Sequence, residues 1–186
     1  MSIIEQAPAT GAASAWVCRW LSGLSKQSRL LDFASGYGRN TAYALQQGFS
    51  VLAVDRDPSA VAAVAAVAPQ ASCRCADLEA APWPFEHEKF DVIIVTNYLF
   101  RPRLDLLCGL LAPAGRLIYE TFMQGNEQYG RPRSADFLLA TDELLSLAQR
   151  ARLHILAFEQ GYCEQPKPAM MQRICAQRGS NTTTKR

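Results

Sequence analysis

The chain has 186 residues, 49% of them apolar, and a formal net charge of +2. This is enough chain for one globular domain with a sizeable core. The small net charge gives no global electrostatic case for nucleic acid, and no apolar run reaches the length of a membrane span.

Residues Met1–Gly11 lack the basic start and apolar run of a secretory signal. The six cysteines (Cys18, Cys73, Cys75, Cys108, Cys163, Cys175) form no C-x-x-C pair, and His87 and His154 stand far apart. No metal site is expected from such spacing, and reduced thiols in a cytoplasmic setting are.

In chain order, Trp16, Val17, Trp20, Leu21 and Leu24 recur with helical spacing, which predicts an amphipathic helix over Ser14–Leu24. Arg29–Phe33 reads as a strand, Ala34–Gly38 as a glycine turn, and Arg39–Gln47 as a helix stopped by Gly48. A second strand, Phe49–Val54, ends at Asp55. Asp57 caps a helix over Ser59–Val67, with Pro58 in its first turn. A short strand follows at Ser72–Cys75. The β-branched run Phe90–Thr96 suits a central parallel strand buried on both faces. Leu104–Leu111 reads as a helix, Pro113–Gly115 as a turn, and Arg116–Thr121 as a strand. Phe122–Ala140 is a long irregular segment, and Thr141 is expected to cap a helix over Asp142–Gln149. Leu153–Phe158 and Met170–Ala176 read as strands. The link between them is too short for a parallel crossover, so they are expected to pair antiparallel. Gly179–Arg186 is polar and is expected to fray.

Alternating strands and helices predict a parallel α/β sheet with helices on both faces. The chain divides into an N-terminal helical segment packed on the core (1–28), a core domain (29–178) and a flexible tail (179–186).

The chemistry concentrates at the carboxyl end of the sheet. Gly36 and Gly38 permit a tight turn and a close backbone approach to a ligand. Asp55, about twenty residues beyond, stands where a carboxylate can accept from both ribose hydroxyls. Asp32, just before the turn, would repel a pyrophosphate and attract an ammonium group. This argues against a nicotinamide cofactor and for S-adenosylmethionine. Ala34 replaces the usual first glycine of such turns and is expected to keep a negative φ.

These motifs resemble those of class I S-adenosylmethionine-dependent methyltransferases, and within them the small bacterial enzymes grouped with tellurite-resistance and thiopurine methyltransferases. The resemblance spans Arg29 to Arg178. It implies a Rossmann-like seven-stranded sheet of order 3-2-1-4-5-7-6 with strand 7 antiparallel. It also implies that Asp32, Ala34, Ser35, Gly36, Gly38 and Asn40 surround the methionine moiety. Asp55 would bind the ribose, Arg56 would flank the adenine, and Asp77 with the Leu78 amide would read the adenine edge. Asn97, Tyr98 and Leu99 would form the loop beside the methyl group.

Tyr98, Tyr119 and Glu120 are candidate base or positioning groups. Core packing for Tyr119 and a structural hydrogen bond for Glu120 are the competing readings. Arg101, Phe122, Tyr129, Arg131 and Arg133 are candidate acceptor-binding residues, since arginines among aromatics suit a small planar or anionic acceptor. A solvated basic loop is the alternative. The expected function is methyl transfer from S-adenosylmethionine to a small acceptor. A non-catalytic S-adenosylmethionine-binding module and an RNA methyltransferase stay open. The acceptor and the oligomeric state are not legible.

Overall fold

The computed structural model describes residues 11–180. One sheet holds seven strands: β1 (Arg29–Phe33), β2 (Ser50–Asp55), β3 (Ser72–Cys75), β4 (Phe90–Thr96), β5 (Leu111–Phe122), β6 (Leu153–Cys163) and β7 (Ala169–Arg178). Their order is β3-β2-β1-β4-β5-β7-β6. Strands β1 to β5 run parallel, and β7 is antiparallel to both β5 and β6. The expected topology is therefore the observed one.

Among the described residues, five α-helices flank the sheet: α1 (Ala15–Leu21), α2 (Arg39–Gln46), α3 (Pro58–Val67), α4 (Leu104–Gly109) and α5 (Glu143–Arg150). The alternation of side chains along each strand sorts them into two layers. Leu31 and Phe33 pack in the cluster that also holds Leu104, Leu107, Leu144 and Leu147 of α4 and α5. Leu30, Val51, Val92 and Ile94 face the other way, against Trp16, Val17 and Leu21 of α1 and Ala44 of α2. Ala53 on that same face meets Val64 of α3. Each fully buried Leu or Ile contributes roughly 1.5–3 kcal/mol relative to an exposed one.

Local chemistry explains where elements begin and end. The Ser14 side chain accepts from Val17 N and starts α1. The helix stops at Leu21, short of the expected Leu24, because Ser22 turns extended and Gly23 takes a positive φ of 80°. Asp57 caps α3 as expected, accepting from Ser59 N. Thr141 does not cap α5. Asp142 takes that place with φ 58°, and its carboxylate accepts from Gln160 Nε2 at 2.7 Å.

The expected turn at Pro113–Gly115 lies inside β5. Leu111 pairs with Phe90 and Arg116 with Val92, so the residues between them bulge out of the ladder. Ala114 adopts φ 60° there. A Cβ on Gly115 would lie 2.8 Å from the Ala112 carbonyl oxygen and 3.0 Å from that of Phe90. Strands β6 and β7 are longer than their apolar runs, and the hairpin link shrinks to residues 164–168. Of the tail expected to fray, residues 181–186 lie outside the described residues, as do the first ten residues of the N-terminal segment.

The irregular segment after β5 is tethered at both ends. Met123 N donates to Met170 O, Gln124 N to Leu139 O, and Leu139 N to Phe122 O. Asn126 is buried, donates from Nδ2 to Pro132 O and accepts at Oδ1 from Met170 N. These bonds fold the segment back over the carboxyl edge of the sheet.

The β1–α2 turn corrects one expectation. Ala34 has φ 57°, in the left-handed region, as do Gly36 at 52° and Gly38 at 81°. An alanine there carries a backbone cost of roughly 1–2 kcal/mol that glycine avoids. Ala34→Gly is therefore expected to stabilise the protein by about 1 kcal/mol, read from the urea midpoint at unchanged m-value. A destabilised variant would contradict the strain.

Candidate active site

A cavity of about 740 Å³ opens at the carboxyl ends of the parallel strands. That volume lies in the range of small-molecule sites. One half is built from β1, β2 and β3: Ala34, Ser35 and Gly36 in the glycine turn, Asp55 and Arg56 after β2, and Asp77, Leu78 and Glu79 after β3. The other half comes from Thr96–Leu99 after β4, Thr121 and Phe122 at the end of β5, and Pro132 and Phe137 in the following segment. Gly11, Tyr37 and Arg39 complete the lining.

Asp55 organises the first half. Its Oδ2 accepts from Gly36 N at 2.7 Å and its Oδ1 from Asp57 N at 3.0 Å. Each carboxylate oxygen keeps further acceptor capacity toward the cavity. Ser35 N donates to Val54 O, and Gly38 N to Ser35 O, so the turn is fixed against β2. After β3, Asp77 Oδ1 accepts from Glu79 N at 2.8 Å, which holds the Asp77–Glu79 loop, and Leu78 is buried beside it.

Asp32, Gly38 and Asn40 do not line the cavity; they stand behind it. Asp32 is 1% exposed and faces α2, where it accepts from Thr41 Oγ1 at 2.6 Å. Burial pushes its carboxyl up to about 6, although the Thr41 hydrogen bond and the Arg39 charge pull the other way. Asn40 is buried, accepts from Ser14 N and donates to Thr96 Oγ1, tying α1 and β4 to the turn. Gly38 lets α2 approach α3, since a Cβ there would lie 2.7 Å from Val64 Cγ2.

The second half places the candidate base and acceptor residues. Tyr98 lines the cavity, with its ring 5.5 Å from that of Phe33, and its hydroxyl is buried without a hydrogen-bond partner among the described residues. Burial, with the charges of Glu79 and Asp77, holds that phenol above its usual range. Tyr119 is fully buried, and its hydroxyl donates to Tyr98 O at 2.7 Å. Glu120 accepts from Arg173 Nε at 3.0 Å and does not line the cavity. For both residues the geometry fits the structural reading, because their polar atoms are engaged away from the cavity.

Arg101 does not reach the cavity either. Its guanidinium pairs with both oxygens of Glu143 and donates to the carbonyls of Ala135, Asp136 and Leu138. It thereby pins the turn that carries Phe137. Phe122 does line the cavity, whereas Tyr129, Arg131 and Arg133 do not. Tyr129 stands at the surface against Tyr162, with ring centres 5.4 Å apart, and both arginines are exposed.

Residues 30–115 match the model of a family described as a methyltransferase domain. The chain has the fold of a class I methyltransferase. TehB from Haemophilus influenzae superposes with a TM-score of 0.75 at 18% identity, over 89% of this chain and 62% of that one. This chain thus spans less than two thirds of that protein. A TehB-like S-adenosylmethionine-dependent methyltransferase from Corynebacterium glutamicum gives 0.67 at 20% identity, over 91% of each chain. The Burkholderia thailandensis 1,6-didemethyltoxoflavin-N1-methyltransferase, solved with that acceptor and S-adenosylhomocysteine, gives 0.66 at 19% identity, over 89% and 77%. No curated protein sequence matches the chain.

Within this methyltransferase fold the sequence reading overlooked Arg39, Glu79, Thr96, Thr121 and Phe137, all of which line the cavity. Three of them directly adjoin residues singled out at strand ends, so extending each motif by one position would have found Glu79, Thr96 and Thr121. Arg39, next to Gly38, makes no ion pair among the described residues; its Nη1 donates to Ala12 O at 3.4 Å.

Two outcomes test this arrangement. Asp32 ionises at 3.8 when free and at about 6 when folded. A group raised in this way favours folding while protonated, so stability falls as the pH climbs through that window. Asp32→Asn should exceed the parent by on the order of 2–3 kcal/mol above about pH 7, and the gap should close below about pH 4. Urea unfolding at both pH values checks this, and a pH-independent difference contradicts it. Arg101→Ala should free the turn around Phe137 and speed tryptic cleavage after Arg133 about tenfold or more, because local opening governs proteolysis. Cleavage at the parental rate would show that the clamp is dispensable.

Proposed function

We propose that the chain transfers a methyl group from S-adenosylmethionine to a small acceptor. The observation that carries this reading is the pairing of two carboxylates around one turn. Asp55 faces the cavity at the end of β2, and Asp32 lies buried behind the same turn. A hydroxyl-rich ribose satisfies the first, and a nearby cation favours the ionised form of the second. A pyrophosphate would meet Asp55, Asp77 and Glu79 along the cavity wall and be repelled. The fold and the relatives that share it support the same choice.

The residues present fit that cofactor. Asp55 accepts from the ribose hydroxyls, Asp77 and the Leu78 amide take the adenine edge, and Arg56 flanks the base. Ser35, whose buried hydroxyl has no partner among the described residues, and Gly36 and Asn97 border the methionine moiety. Arg39 supplies a cation for its carboxylate. When bound, the sulfonium supplies an electrophilic methyl carbon and a good leaving group. The protein's share is then positional: it holds acceptor and methyl in line and keeps water out, a contribution of roughly 7–11 kcal/mol when the alignment is good. Six free thiols suit a reducing, cytoplasmic compartment.

Calorimetry should detect S-adenosylmethionine and S-adenosylhomocysteine, and no NAD. Asp55→Ala should weaken both sulfur ligands by about 1.5–3 kcal/mol, the cost of losing hydrogen bonds to a charged group. Tighter binding of NAD, or unchanged affinity in a folded Asp55→Ala protein, would reject the reading.

A further inference from the structure

Asp32 sits where a carboxylate is costly. Its partners across the two ladders are Ala53 of β2 and Ile94 of β4, which carry no charge, and the apolar layer under α2 closes it off from solvent. From α2, Thr41 offers its hydroxyl and its backbone N–H, and the Arg39 charge favours the ionised form. From β2, the Asp55 charge opposes it. Burial outweighs the favourable contacts and holds the carboxyl up at about 6. A carboxyl so poised is largely protonated in mildly acidic solution.

The same residue stands next to the cavity. Ala34, Ser35 and Gly36 line it, and two residues of chain span at most about 7 Å. The turn between carboxyl and cavity is held in place, with Ser35 N on Val54 O and Gly36 N on Asp55. A cation seated against this turn acts on Asp32 through protein rather than through water, so its field is little screened. An opposite charge within about 4–6 Å favours a carboxylate's ionised form by roughly 1–3 pH units. The methionine arm of the proposed cofactor carries both charges. Its carboxylate is assigned to Arg39, so its ammonium group is the charge left for the Asp32 side of the turn.

We infer that seating the cofactor's ammonium group against this turn drives the proton of Asp32 out to solvent, so that cofactor binding releases a proton and weakens on acidification. This rests on the proposed cofactor and adds a property to its site. The O–H bond of the carboxyl breaks, its electron pair stays on the carboxylate, and the proton passes to the buffer. Lowering the pH returns the proton, restores the neutral acid and removes the countercharge. The ligand is then held by its adenosine end and Arg39 alone. Occupancy of the site thus follows the pH of its surroundings through a side chain that does not line the cavity.

Calorimetry of S-adenosylhomocysteine binding in two buffers of unlike ionisation enthalpy counts the protons released. Roughly three quarters of a proton should leave at about pH 5.5 and almost none at about pH 8. Affinity should be about tenfold lower at about pH 5 than at about pH 8. The adenosine thioether 5′-methylthioadenosine, which lacks the amino-acid arm, should bind without releasing a proton at either pH. Asp32→Asn should release none with S-adenosylhomocysteine and bind it equally at both extremes, about tenfold more weakly than the parent at about pH 8. Thr41→Val loses a donor that favours the ionised acid, so its proton release should extend to higher pH. Release that persists in Asp32→Asn, equal release with 5′-methylthioadenosine, an unmoved profile in Thr41→Val, or a pH-independent parental affinity overturns the inference and leaves the proposed function standing. Failure to bind both S-adenosylmethionine and S-adenosylhomocysteine at every pH overturns both.

Discussion

The Asp55 carboxylate is the constraint on which the site depends. One of its oxygens holds Gly36 N and the other holds Asp57 N. A single side chain at the end of β2 therefore fixes both the turn leaving β1 and the start of α3. The parallel sheet makes this possible: neighbouring strands end at the same edge, so side chains far apart in sequence converge there. Gly38 completes the arrangement by letting α2 lie close against Val64 of α3. Without that approach the turn could not sit over the strand end that anchors it.

Behind the turn, the fold accepts a cost that its core alone does not explain. Asp32 alternates with Leu31 and Phe33, so its side chain enters the layer under α2, where Thr41 is its one hydrogen-bonding side-chain partner among the described residues. A leucine there would stabilise the layer by burial instead. Under the proposed function, an acid that hesitates to ionise behind the cavity is a waiting countercharge. The strained Ala34 next to it has the same character, since unfavourable backbone conformations persist where surrounding contacts enforce them.

Much of the sheet was legible because its signals are local. The β-branched run of β4, the Asp57 cap and the short link before β7 each have one reading in physical terms. The convergence of Asp55, Asp77 and Leu78 on one cavity was legible for the same reason, since strand ends carry them to one edge. The covering segment was not legible. Arg101 finds Glu143 and three carbonyls more than thirty residues away, and nothing near it in sequence announces that partnership. Tyr119 has two readings from its place in β5, a cavity group or core packing, and the pleat turns it into the core. Ala34 and the β5 bulge depend on backbone angles imposed by tertiary contacts, which side-chain type only weakly reports.

The two halves of the cavity differ in how many parts of the chain they require. The half built from β1, β2 and β3 is assembled from turns after three strands, each braced by another, so a change in one is felt by all. The wall bearing Pro132 and Phe137 belongs to one stretch of chain, closed on itself by the Met123–Leu139 bridge and by Asn126. A stretch bounded in this way can be lengthened, shortened or exchanged while the strands beneath it keep their register. Divergence in acceptor choice could then proceed by loop replacement, with the sheet inherited almost unaltered.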